Sequence, residues 1–367
     1  MPSRRQFLGA ASGVLFCSCG LLDAADAQAQ SQGQGQRRRG FEAVAVNGKS
    51  VKTIDVHAHC AFEATLPLLN NDRSVLLNNV RGAEEVFISL EQRFAAMDAQ
   101  RVDMEVLSVN PFWYRRDRDN AAQIVKVQNE KMAELCAAHP DRFAGFASLT
   151  LQDPQLAVQE LTTAMQRQGL KGAAIGGNVG DWEFSDPRFH PVWQKAEELG
   201  AVLFIHPQGV PQLAQRFRGN GWLANAIGNP LDTTIALSQL IFQGTLDRFP
   251  GLKILAAHGG GFLPSYADRS DHACTVAPAN CDPNVQLKKK PTEYLRQIWF
   301  DSLIFTPSAI RHLQQQVGAS QIVLGSDYPY PWALKPVDHI MASDSLNDEQ
   351  KLDVLGRTAA KVLRLEG

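Results

Sequence analysis

From residue 51 onward, short unbroken apolar runs alternate with longer stretches in which apolar residues recur every three or four positions. A short apolar run bounded by turn residues suits a strand buried on both faces, and the longer spacing suits a helix with one apolar face. Strands alternating with such helices predict a parallel α/β fold. Eight runs qualify as strands, at 53–57, 104–109, 143–149, 172–175, 202–206, 253–258, 298–302 and 322–325. Amphipathic stretches at 121–138, 155–168, 191–199, 233–248, 307–317 and 348–363 fill most of the gaps. Gly169, Gly200 and Gly318 follow three of these stretches, where a left-handed residue commonly ends a helix. Residues 61–93 show no period and read as a long loop after the first strand. Eight strands predict a (β/α)8 TIM barrel, with a doubly wound open sheet as the structural alternative.

The pattern before residue 51 is different. Arg4 and Arg5 precede an uncharged, largely apolar stretch from Gly9 to Leu22, followed by small-residue cleavage candidates at 25–29. This arrangement resembles a bacterial twin-arginine export signal over residues 1–29 and predicts a periplasmic or exported protein that engages the twin-arginine machinery. The apolar stretch is shorter than the ~20 residues a spanning helix needs. Cys17 and Cys19 leave a lipid-anchored form as an alternative. Residues 30–50 begin with Gln, Gly, Ser and Arg and read as a flexible linker, which leaves 51–367 for the barrel.

With 367 residues, 44% of them hydrophobic, and a net charge of −2, the chain is long enough for one large domain and gives no electrostatic reason to expect a nucleic-acid partner. Beyond the signal, Cys60, Cys136, Cys274 and Cys281 remain. Their spacing fits no structural zinc site, and Cys274 and Cys281 are close enough in sequence to pair in an oxidising compartment.

In a barrel of this kind the chemistry gathers at the C-terminal ends of the strands. His57 and His59 end the first predicted strand, His206 the fifth and His258 the sixth, while Asp327 follows the eighth. Residues two apart on a strand share a face, so His57 and His59 converge on one point. Three imidazoles and a carboxylate suit one divalent ion (zinc foremost, or manganese or iron) and leave a position open. A second ion bridged by a lysine at the end of the fourth strand is not expected, because Lys171 stands at the start of that strand and Gly176, Gly177 and Asn178 at its end. His139, His190, His272, His312 and His339 fall in helices or loops and read as packing or surface residues.

The segments at 53–59, 204–207, 257–261, 300–303 and 324–329 together resemble the amidohydrolase-related (amidohydrolase 2) decarboxylases, nearest to the aminocarboxymuconate-semialdehyde decarboxylases. The resemblance runs from residue 51 to the C-terminus and implies the distorted barrel of metal-dependent hydrolases, commonly as a homodimer. It implies that His57, His59, His206 and Asp327 ligate the metal and that His258 is the acid/base residue. Arg81 takes the place of an arginine that binds the substrate carboxylate through two parallel hydrogen bonds. The implied activity is non-oxidative decarboxylation of a small unsaturated or aromatic carboxylic acid. Hydrolysis of an ester, lactone or amide on the same centre is the alternative, and a periplasmic binding protein that has lost catalysis is a third reading. Gln208 and Phe305 depart from the family pattern, which has an aromatic residue and a histidine there, so the resemblance does not name the substrate.

Overall fold

The computed structural model describes residues 42–365 except 78, 79 and 334. The export signal and the Gln/Gly-rich run therefore lie outside the described residues. The end of the segment read as a linker is ordered: Ala45–Val46 pairs antiparallel with Lys49–Ser50, and Val44 and Val46 are buried. Asn47 and Gly48, both at positive φ, form the turn between them. The 30–50 linker is corrected accordingly, and the signal is local, since Asn-Gly between short strands strongly favours a hairpin.

All eight barrel strands form. They are β1 (Ile54–His59), β2 (Met104–Ser108), β3 (Phe143–Gly145), β4 (Gly172–Ile175), β5 (Val202–Ile205), β6 (Lys253–Ala256), β7 (Ile298–Asp301) and β8 (Ile322–Val323). Parallel pairing runs β1-β2-β3 and β4-β5-β6-β7-β8. Bridges between Ala147 and Ala173 and between Ala58 and Tyr328 join these two arcs at both seams. The sheet is thus a closed barrel rather than the doubly wound alternative. Closure satisfies edge groups that an open sheet would leave unpaired.

One apolar cluster draws a residue from each strand: Ile54, Met104, Ala144, Ala174, Val202, Leu255 and Val323 are buried in it, and Trp299 packs against it. A second and larger cluster packs the strands against surrounding helices. The pairing of β1 with β2 shifts register between Asp55 and Ala58. A one-residue shift changes the face that later side chains present. Ile54 and Val56 thus belong to the cluster shared by all the strands, while His57 and His59 meet His206 beyond it.

The helices are α1 (Leu90–Ala99), α2 (Arg118–Ala138), α3 (Pro154–Gln166), α4 (His190–Leu199), α5 (Gly228–Phe242) and α6 (Pro307–Val317), with shorter ones between and after them. Side chains of Asp117, Asp153 and Thr306 cap α2, α3 and α6 by accepting backbone N–H bonds in the first turn. The region read as one loop at 61–93 instead holds three short 3-10 turns and the start of α1. In α1 only Arg93 and Met97 are buried, which leaves too narrow an apolar stripe for periodicity to reveal.

The stretch at 348–363 is two helices, Asp348–Leu352 and Thr358–Leu363, joined by a π turn at Asp353–Arg357. There Val354 O accepts Leu324 N–H at 3.0 Å, just past β8. Gly356 in the same turn lies against the backbone, and a Cβ on it would stand 1.9 Å from Lys52 O. A backbone atom cannot yield as a side-chain tip can. Gly356→Ala is therefore expected to destabilise the fold by about 2–3 kcal/mol, read as a lower urea midpoint at unchanged slope. An unchanged midpoint would show that the turn adapts.

Candidate metal centre

The ends of β1, β5 and β8 converge at one mouth of the barrel. His57 and His59 close β1, His206 follows β5 directly, and Asp327 stands in the loop after β8. All four are buried, and one ligand atom from each lies within 4.8 Å of the others. The Nε2 atoms of His57 and His59 are 3.1 Å apart, and Asp327 Oδ1 is 3.2 Å from the first and 2.8 Å from the second. Both ring nitrogens of His206 are buried without a hydrogen-bond partner. Burying polar atoms unpaired costs several kcal/mol on the scale of a lost hydrogen bond, roughly 1–3 each. Lone pairs of this kind aimed at one point fit a divalent cation, and the donor set of three imidazoles and one carboxylate is a divalent-metal site.

The surroundings fix which nitrogen each ring offers. His57 Nδ1 lies 2.6 Å from Asp301 Oδ2, and Ser108 Oγ lies 3.0 Å from His59 Nδ1, so each Nε2 is left for the ion. Asp301 also accepts the backbone N–H groups of His258 and Gly259 at 2.9 Å each and that of Leu303 at 3.1 Å. It thereby ties the ends of β6 and β7 to a ligand on β1. Asp55 accepts N–H from His57 and Ser326, joining β1 to the loop that carries Asp327. Arg93, paired with Glu105 at 2.6 Å, donates to His59 O at 2.8 Å.

Burial lowers His59 to about 4 and His206 well below the usual histidine value, so both are neutral donors at pH 7. Burial acts the same way on His57, but Asp327 and Asp301 outweigh it and raise this ring to about 10. Burial pushes Asp327 up, yet its histidine neighbours, His57 first, hold it well below the usual carboxylate range. The metal-free cluster therefore carries a proton on His57 at neutral pH, and an ion must displace it. Metal affinity is expected to rise about tenfold per pH unit between roughly pH 6 and 9, with about one proton released per ion. Calorimetry in buffers of different ionisation enthalpy reads that proton; pH-independent affinity would count against it.

His258 does not join the four ligand atoms. Its Nε2 is 3.7 Å from Asp327 Oδ2, and its Nδ1 is buried without a partner. Both His258 and Asp327 sit at positive φ (55° and 66°), a region that side chains rarely adopt. Gly259, Gly260 and Gly261 continue at positive φ, and a Cβ on Gly261 would stand 2.1 Å from Pro230 O. The chain after β6 is thus wound tightly against α5, which holds the His258 ring beside the centre. Strained backbone at a site of this kind is a functional signal.

A cavity of about 580 Å³ opens above the centre and is lined by His59, His206 and Tyr330 on the metal side. Arg81 is not brought into it. That residue is exposed just before the 3-10 turn Ala83–Val86, whose inward residues are Ala83 and Val86. The cavity's guanidinium belongs to Arg115, which follows the end of β2 and also lies exposed. Arg115 lies well past the end of β2 and beside Arg116, so strand-end position alone does not single it out. The strand-end rule does pick out Asp301, which ends β7, and Asn110, a lining residue just past β2 whose Oδ1 is buried without a partner. Among the remaining histidines, His139 packs on Phe94 and Phe143 and His190 on Phe249. Cys274 and Cys281 form a disulfide.

The amidohydrolase family pattern matches residues 54–365. The 2-amino-3-carboxymuconate-6-semialdehyde decarboxylase of Dictyostelium discoideum is 32% identical over 280 residues, covering 75% of this chain and 76% of that protein. The gamma-resorcylate decarboxylase of Rhizobium radiobacter is 29% identical over 294 residues, covering 76% of this chain and 88% of its own length. Among solved structures, 5-carboxyvanillate decarboxylase from Sphingomonas paucimobilis superposes with a TM-score of 0.76 at 26% identity, covering 86% of this chain and 100% of that one.

Proposed function

This chain belongs to the amidohydrolase family, and on that premise we propose that it is a metal-dependent carboxy-lyase that removes carbon dioxide, without an oxidant, from a small unsaturated or aromatic carboxylic acid. The observation that carries the reading is the arrangement of His57, His59, His206 and Asp327 as one ligand set with His258 beside it, two of whose ligands, His59 and His206, line a cavity of about 580 Å³. The decarboxylase names of the relatives support the choice of reaction.

His57, His59, His206 and Asp327 hold the ion, which we take to be zinc, with manganese or iron as alternatives that the same donors suit. When bound, such an ion supplies a Lewis acid that polarises an oxygen of the substrate. Arg115 and the amides of Asn110 and Gln208 line the space where the acid is oriented. His258 Nε2 holds the proton and delivers it to the carbon that bears the carboxylate. The bond between that carbon and the carboxylate then breaks, its electron pair returns to the unsaturated system, and carbon dioxide leaves. One proton is consumed on carbon and no redox change occurs. Tyr330 and Phe112, both lining residues, limit the water that reaches the reacting carbon.

Incubating the metal-loaded protein with panels of aromatic acids and of esters, while following released carbon dioxide, tests the reaction. Gas from an acid with no ester turnover is the expected result; ester cleavage without gas would replace it with hydrolysis. Export through the twin-arginine route belongs to the same proposal. It rests on Arg4 and Arg5 before the apolar stretch and is supported by the Cys274–Cys281 disulfide, which suits an oxidising compartment. Exchanging both arginines for lysine should retain the protein in the cytoplasm, as fractionation would show.

A further inference from the structure

We propose that the mouth of the cavity carries a second subsite, an aromatic platform centred on Trp222, and that the acid is an extended one. Its carboxylated ring is held at the metal centre, and a second planar apolar group lies on the Trp222 indole. The nature of the acid rests on the decarboxylase reading above; the platform itself rests on the following geometry.

Trp222 lines the same cavity as His59 and His206. It is also stacked on Trp332, with ring centroids 5.8 Å apart and planes 10° apart. Phe305 leans on Trp332 in turn, at 6.2 Å and 53°. These three side chains come from three separate loops, those after β5, β8 and β7. Converging there, Trp222, Trp332 and Phe305 remain 46%, 38% and 59% exposed respectively. A single exposed aromatic residue is ordinary, whereas a cluster drawn together from distant segments and left open to solvent marks a binding surface. Stacking on Trp332 fixes the indole, so little side-chain freedom is left to lose when a ligand arrives.

The backbone supports the same assignment. Trp222 (φ 49°) and Phe305 (φ 64°) both occupy the left-handed region, which disfavours bulky side chains. Helix propensity does not require it: Trp222 only precedes the four-residue helix Leu223–Ala226, and Phe305 lies outside any element. The occupant follows from continuity with the metal centre. A cavity of about 580 Å³ falls in the range that takes a drug-sized ligand, more than one carboxylated ring fills. Trp222 belongs both to that cavity and to the aromatic cluster, so a ligand anchored at the metal and long enough to leave the inner cavity meets the indole face. Stacking of this kind accepts any planar apolar group and asks for no particular hydrogen bonds.

The test compares a dihydroxybenzoate with its para-phenyl derivative on the metal-loaded protein, both by equilibrium calorimetry and by release of carbon dioxide. The two-ring acid is expected to bind, and to be turned over in kcat/KM, about tenfold better than the one-ring acid. That ratio should fall to near one in Trp222→Ala and in Trp332→Ala, and Trp222→Phe should preserve most of it. Trp332 does not line the cavity, so its variant tests the backing of the platform if Trp222→Ala is poorly folded by circular dichroism. A ratio near one in the unaltered protein, or a ratio that survives both alanine variants, overturns the platform. Preferential binding of the two-ring acid that depends on both tryptophans, with no gas from either acid, would uphold the platform and sink the decarboxylase reading instead.

Discussion

Alanine in place of Asp327 is expected to leave the purified protein with less than about 0.1 equivalents of transition metal and activity at least ~1,000-fold down. Three imidazoles remain in that variant, but the only negative charge among the four ligands is gone. The loss should exceed the roughly 10–100-fold in affinity typical of removing a supporting residue around a metal. Stability offers a second measure. An ion that binds only the folded state stabilises it by RT ln(1 + [L]/Kd), about 2.7 kcal/mol at a hundredfold excess over Kd. Added zinc or manganese should therefore raise the melting temperature of the unaltered protein and leave that of Asp327→Ala unmoved. Asp327 sits at φ 66°, a conformation asparagine tolerates, so Asp327→Asn separates loss of charge from backbone strain. Full metal content in both variants would remove Asp327 from the ligand set.

Substitution of His258 should give the opposite pattern, with metal retained and turnover lost. His258 lies outside the cluster of four ligand atoms, its Nε2 facing Asp327 at 3.7 Å, so the variant keeps every donor. General acid or base catalysis contributes typically 10²–10⁴-fold, and a kcat loss of that size is expected. Asparagine is again the better replacement, because residue 258 is held at φ 55° and asparagine accepts it. Retained metal and a large fall in kcat with little change in KM would identify proton transfer. An unaltered kcat would end the acid/base assignment, and loss of metal would make His258 a fifth ligand.

Both outcomes bear on residues that are legible in the amino-acid sequence, because each follows a local rule. A buried parallel strand is a short apolar run, the alternation of its side chains is set by backbone geometry, and function collects where such strands end. His57, His59, His206, His258 and Asp327 all satisfy that rule within a few residues of chain. Asp301 satisfies it as well, but aspartate does not stand out as histidine does in a chain with only nine of them. The hairpin at Asn47 and Gly48 is equally local and equally readable.

Arg81 falls outside the cavity for the converse reason. Its assignment depends on distance along the chain in a segment without periodicity, and the course of such a segment is decided by contacts that are remote in sequence. The same applies to the π turn at Asp353–Arg357, whose Val354 carbonyl accepts Leu324 N–H beside β8, and to the aromatic cluster of Trp222, Phe305 and Trp332. The sequence by itself determined the eight strands and the five strand-end residues, His57, His59, His206, His258 and Asp327, from which the donors for one ion are drawn, because short-range backbone geometry and burial dictate those. Only the tertiary structure decided that the barrel closes, that His258 stands apart from the ligands and which guanidinium faces the cavity. Those outcomes depend on where the loops cross in space, and that is set by packing between segments far apart in the chain.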